Sequence, residues 1–222
     1  MERFYARDVP PYARGGEAEP VLGGGRSKVE IHMNELVSTP TRDDLERRFS
    51  DFDTLGGALD YAASGVRGLN FHDMRGKLAR PYPYRDLRED ALAAARRLIA
   101  AGVKPKDRVA LIAETGADFA ALFFGAIYAG AWPVPLPLPT SFGGRDHYVD
   151  QLSVQLKSCD PAILLYPAEL GEMAGAAADL CGFKSMSWED FAGAAESRDP
   201  LPEAGPDDIA YLQYSSGSTR FP

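Results

Sequence analysis

The chain has 222 residues, 45% of them hydrophobic and 25% charged, with a formal net charge of −8. That length and balance support a packed globular core and exclude wholesale disorder, while an acidic surface argues against general nucleic-acid binding. Cys159 and Cys181 form no CxxC pair and, with His32, His72 and His147, no zinc-like spacing, so no metal site is expected. The histidines are read as loop or surface positions, and the unpaired cysteines fit a cytoplasmic protein.

Residues 1–50 are rich in Gly, Pro and charge and show no sustained apolar period, so they are read as an N-terminal extension. No apolar stretch follows the early charges, so no secretory signal is expected. A short helix is expected to begin at Thr41 as its cap, with Asp43 and Asp44 in its first turn. Arg47 and Arg48, like Arg96 and Arg97, are read as solvated helix faces rather than a basic patch.

The domain proper, residues 51–222, opens with a helix over TLGGALDYAA (54–63) and a strand over LNFH (69–72), followed by a polar turn. The clearest helix runs from Tyr84 to Gly102. Leu87, Ala91, Ala94, Ala95 and Leu98 share one of its faces, and Gly102 stands where a C-terminal cap belongs. RVALIA (108–113) reads as a buried parallel strand. ADFAALFFGAIYA (117–129) reads as a helix packed on all sides, ended by Gly130. Its aromatics Phe119, Phe123, Phe124 and Tyr128 are read as core before lipid pocket. The prolines at 133, 135, 137 and 139 then give an extended segment expected to refuse regular ladder pairing. They also cut the uncharged run 119–144 well short of the roughly 20 helical residues a membrane span needs.

An amphipathic helix over 145–158 carries Val149, Leu152 and Leu156 inward. AILLY (162–166) is a second buried strand, 168–180 an Ala-rich helix, 183–187 a short strand, and a small helix starts at Trp188. After the linker RDPLPEAGPDD, IAYLQY (209–214) is expected to be the last strand. Strand and helix alternate throughout, which predicts an α/β domain with a mostly parallel sheet flanked by helices.

The residues that carry chemistry follow that last segment: Ser215, Ser216, Gly217, Ser218, Thr219 and Arg220. Hydroxyl donors and a glycine at a strand's carboxyl edge make an anion cradle, because the glycine lets backbone N–H groups approach an oxyanion closely. Open α/β sheets also bind ligands at that edge. Taken alone, SSGST is more often a solvent loop than a ligand site, and the GxxxxGK[ST] pattern is absent.

The flanks shift that balance. YLQYSSGSTRFP (211–222) resembles the phosphate-binding motif of the adenylate-forming superfamily, and specifically that of fatty acyl-AMP ligases. PVPLPLPTSFGG (133–144) and RVALIAET (108–115) are similar to segments of the same enzymes, in the same order, so the resemblance spans roughly Thr54 to Pro222. Arg220 stands where the commoner superfamily motif has glycine. The resemblance implies an ATP-dependent ligase that joins a fatty acid to AMP, with Mg²⁺, for transfer to an acyl carrier protein.

By the same resemblance Ser215, Ser216, Gly217, Ser218, Thr219 and Arg220 would bind the ATP phosphates, and no catalytic residue is identified. The chain is expected to be a fragment cut just after that loop and inactive by itself. A fatty acyl-CoA ligase is the first alternative, and a non-catalytic scaffold or binding domain the second.

Overall fold

A computed structural model describes residues 45–49, 51–139 and 144–215. In chain order its elements are α1 (Leu55–Ala63), β1 (Gly68–His72), β2 (Leu78–Pro83), α2 (Tyr84–Ala100), β3 (Arg108–Ile112), α3 (Ala117–Tyr128), β4 (Trp132–Leu136), α4 (Gly144–Cys159), β5 (Ile163–Tyr166), α5 (Gly171–Cys181), β6 (Ser185–Ser187) and α6 (Trp188–Ala192). The expected α/β architecture is present. A parallel sheet of order β4-β3-β5-β6 is flanked by helices, and β1 pairs with β2 in a separate antiparallel hairpin.

Side chains alternate across the sheet with the period of two that a strand imposes. Val109, Leu111, Ile163 and Leu165 pack into one core with α2, α3 and Phe191 of α6. Ala110, Ile112, Val134, Leu136 and Leu164 pack into the other, under α4 and α5. The helix after β3 therefore takes one face, and those after β4 and β5 take the opposite one. Such a reversal opens a crevice at the carboxyl ends of the strands.

The helices expected over 54–63 and 84–102 are both present. Thr54 Oγ1 accepts a hydrogen bond from Gly57 N at 3.0 Å, capping α1. The expected stripe of α2, from Leu87 to Leu98, is fully buried. That helix ends in a Schellman motif: Gly102 sits at φ 93°, its N–H donates to Ile99 O, and Val103 N–H donates to Leu98 O, both at 3.0 Å. The Tyr128 hydroxyl donates to Asp60 at 2.8 Å and ties α3 to α1.

Several expectations need correction. Among the described residues, 45–49 are not helical, and Thr41 lies outside them. Arg48 pairs with Asp51 at 2.8 Å and lies over the Phe52 ring, so it belongs to no solvated helix face. Arg97 is half-buried and holds Glu196 at 2.8 Å. On α3 the aromatics Phe119, Phe123 and Phe124 are only half-buried, so this helix is not packed on all sides.

The largest correction concerns proline. β4 pairs in full register with β3, Arg108 opposite Trp132 through Ile112 opposite Leu136. Trp132 N–H donates to Asp107 O at 2.7 Å and Leu136 O accepts from Ala113 N–H at 2.8 Å, so residues 132, 134 and 136 address β3. Pro133 and Pro135 point their ring nitrogens the other way, where a missing N–H costs this ladder nothing. β2, which sequence reading missed, uses the same arrangement. Tyr84 N–H bonds Arg67 O at 2.9 Å, and that alternation turns the nitrogens of Pro81 and Pro83 outward.

Candidate functional site

Ser215 is the member of the expected phosphate-binding set that lies among the described residues, and it is exposed; Ser216, Gly217, Ser218, Thr219 and Arg220 lie outside them. The segment that delivers Ser215 is therefore the part of the site with visible geometry. It is not the strand that IAYLQY suggested: residues 209–214 are extended but carry no ladder. The cause lies in β4. Its outer edge presents Pro133 and Pro135, which can accept through their carbonyls but cannot donate. One backbone bond to this edge forms, Leu212 N–H to Pro133 O at 3.0 Å.

Side chains supply the remaining anchors. The Tyr211 ring meets Phe123 of α3 edge-on, with centroids 5.5 Å apart. Leu212 and Tyr214 pack against the core under α4 and α5. The Tyr214 hydroxyl donates to the Gln155 carbonyl of α4 at 3.0 Å. Burial raises the Tyr214 phenol above its ordinary value; the Ser158 side chain opposes that shift and the neighbouring Cys159 adds to it. It therefore stays a protonated donor at neutral pH.

Residues 202–210 line a cavity with Gly130–Trp132, and two residues later the chain bonds Pro133, so the segment advances along β4 in the same sense as the strand. Ser215 thus leaves toward the carboxyl ends of the strands. At the exit of β4 the Tyr148 hydroxyl holds Pro137 O at 3.0 Å, and burial pushes its pKa up to about 12. Residues 209–222 contain no Asp or Glu. In composition, the hydroxyls, backbone N–H groups and guanidinium of residues 215–220 are donor types that suit phosphate oxygens. Among the described residues no group of three His, Cys, Asp or Glu is placed to hold a metal ion.

The cavity shared by residues 202–210 has a volume of about 560 Å³ and is lined by Arg48, Phe52, Lys106, Trp132 and Asp208 among others. It sits at the amino ends of β3 and β4, the wrong end of the sheet for the chemistry that the loop suggests. Its mixed charges select no ligand class. No helix among the described residues is long and apolar enough to cross a membrane.

Sequence reasoning singled out residues 215–220 as a candidate loop but missed what fixes the segment that leads to them. The acceptors are backbone carbonyls, Pro133 O and Gln155 O, and no residue pattern announces which carbonyl a tyrosine will reach. The alternation of prolines was the one available signal for the missing ladder.

A family model described as AMP-binding enzyme matches residues 73–222. A putative acyl-CoA synthetase of Caulobacter vibrioides is 46% identical over 195 residues, covering 85% of this chain and 33% of that protein. A long-chain-fatty-acid–AMP ligase of Mycolicibacterium smegmatis is 33% identical over 153 residues, covering 62% of this chain and 23% of that protein. A solved structure from studies of fatty acyl-adenylate ligases from E. coli and L. pneumophila superposes with a TM-score of 0.75 at 43% identity, covering 79% of this chain and 32% of its own. The chain thus spans a third or less of the length of these proteins.

Proposed function

The chain belongs to the AMP-binding enzyme family, and from that premise we propose that Ser215–Arg220 is its phosphate-binding loop, serving an enzyme that activates a fatty acid with ATP. The observation that carries this reading is the entry to the loop: an extended segment pinned beside β4 by Tyr211, Leu212 and Tyr214 leads to an exposed Ser215. An acid-free, hydroxyl-rich sequence follows it.

In the proposed reaction a carboxylate oxygen of the fatty acid attacks the α-phosphorus of ATP. The bond from that phosphorus to the bridging oxygen breaks, pyrophosphate leaves and an acyl-adenylate remains. Catalysis of such a step is mostly positioning and charge stabilisation. The hydroxyls of Ser215, Ser216, Ser218 and Thr219 and the amides around Gly217 would grip the β- and γ-phosphates, and Arg220 would pair one of them bidentately. Mg²⁺, when bound, neutralises phosphate charge, and it ordinarily takes its ligands from phosphates and one or two carboxylates rather than from an all-protein cage.

We assign an acyl carrier protein as the acceptor and the cytoplasm as the setting, where the unpaired thiols of Cys159 and Cys181 are stable. The residues before 51 form an extension to the adenylation domain in this reading. A second reading, transfer to CoA, is favoured by the 46%-identical relative described as a putative acyl-CoA synthetase. Product analysis separates the two. A protein of the relatives' length carrying these residues is expected to yield an acyl-carrier thioester, and accumulation of acyl-CoA in its place would select the second. Absence of fatty-acid-dependent exchange between ATP and pyrophosphate in that protein would defeat both.

A further inference from the structure

We propose that Tyr214 is a positioning residue for the phosphate-binding loop, acting through the bond from its hydroxyl to the Gln155 carbonyl; this rests on the reading of Ser215–Arg220 given above. The need for such a residue follows from β4. A strand entering a ligand loop is ordinarily held in register by its ladder, which fixes position along the chain to within a residue. Here Pro133 and Pro135 remove the donors of the adjoining edge, and residues 209–214 are left with a single backbone bond to it, at Leu212.

The Leu212 N–H bond to Pro133 O registers the chain three residues before Ser215. Past it, the side-chain contacts of Tyr211 and Leu212 are apolar and non-directional, so they keep the segment against the sheet without setting how far Ser215 projects. The Tyr214 hydroxyl bond is directional, 3.0 Å long, and reaches a carbonyl inside α4, an element fixed by the buried side chains of Leu152 and Leu156. One peptide separates this anchor from Ser215. The same helix holds the exit of β4 through Tyr148 and Pro137 O. α4 therefore registers both chain segments that approach the carboxyl edge of the sheet. A preorganised anion cradle depends on such registration, since amides displaced by about an ångström no longer converge on one oxygen.

The test compares magnesium pyrophosphate binding by the 222-residue chain with that of Y214F, by calorimetric titration, with Y128F as a control. Phenylalanine keeps the ring in its core contacts and removes only the hydroxyl, and a thermal melt checks that each variant is folded. Y128F also loses a hydroxyl that donates, here to Asp60 and Gly56 O, on the opposite face of the sheet. Y214F is expected to bind about five-fold more weakly, the worth of one hydrogen bond, with the Ser215 amide resonance shifted before ligand is added. Y128F should melt earlier yet bind as the wild type does. If Y214F melts earlier but binds with wild-type affinity, Tyr214 is only a structural anchor and the proposal is wrong. If the wild-type chain gives no binding, the loop reading itself fails and this inference falls with it.

Discussion

A Cβ built on Gly125 would lie 2.6 Å from Ala94 Cβ and 3.1 Å from Ala91 O, so hydrogen is all that fits where α3 crosses α2. G125A should therefore cost about 1–3 kcal/mol by overpacking, read as a lowered midpoint in chemical denaturation; an unchanged midpoint would mean that the helices separate freely. At the loop, R220A should weaken pyrophosphate binding about ten-fold, the loss of a charge-assisted pair. A surface arginine would leave the titration unmoved. The loop could be proposed from sequence because hydroxyls, a glycine and a cation adjoin one another in the chain. It could not reveal the Tyr214 anchor, whose acceptor is a main-chain oxygen 59 positions away. Residue identity encodes side-chain chemistry, and a carbonyl is common to every residue.

Among the elements, legibility followed the clarity of the period. The stripe of α2 and the apolar runs of β3 and β5 were readable because burial on a helix face or within a parallel sheet leaves a direct imprint. β2 and β4 were obscured by prolines, which argue against a strand only when their nitrogens would face a partner. In both strands they face away, and that side was decided by register, a tertiary property. The same geometry yields a prediction. In P135V the new amide N–H points at Leu212 O, so residues 209–214 should gain a second ladder bond. Hydrogen exchange at position 135 should then be slowed relative to exposed amides. Free exchange there would show that the segment is held away from β4 by something other than the missing donors.

Across the molecule, an acidic chain carries an acid-free stretch, residues 209–222, of which the described part, 209–215, runs beside β4. Charge is thus partitioned: repulsive to anions in total, permissive to them at one place. The described residues provide two packed sheet faces and the entry to the loop, and the matched proteins are about three times as long as this span. The most direct measurement is a titration of the isotopically labelled chain with magnesium pyrophosphate, followed by backbone amide shifts. The account predicts saturable shifts concentrated at Tyr214 through Arg220. Silence at those positions, or shifts centred on the Arg48 and Lys106 cavity at the other end of the sheet, would contradict it.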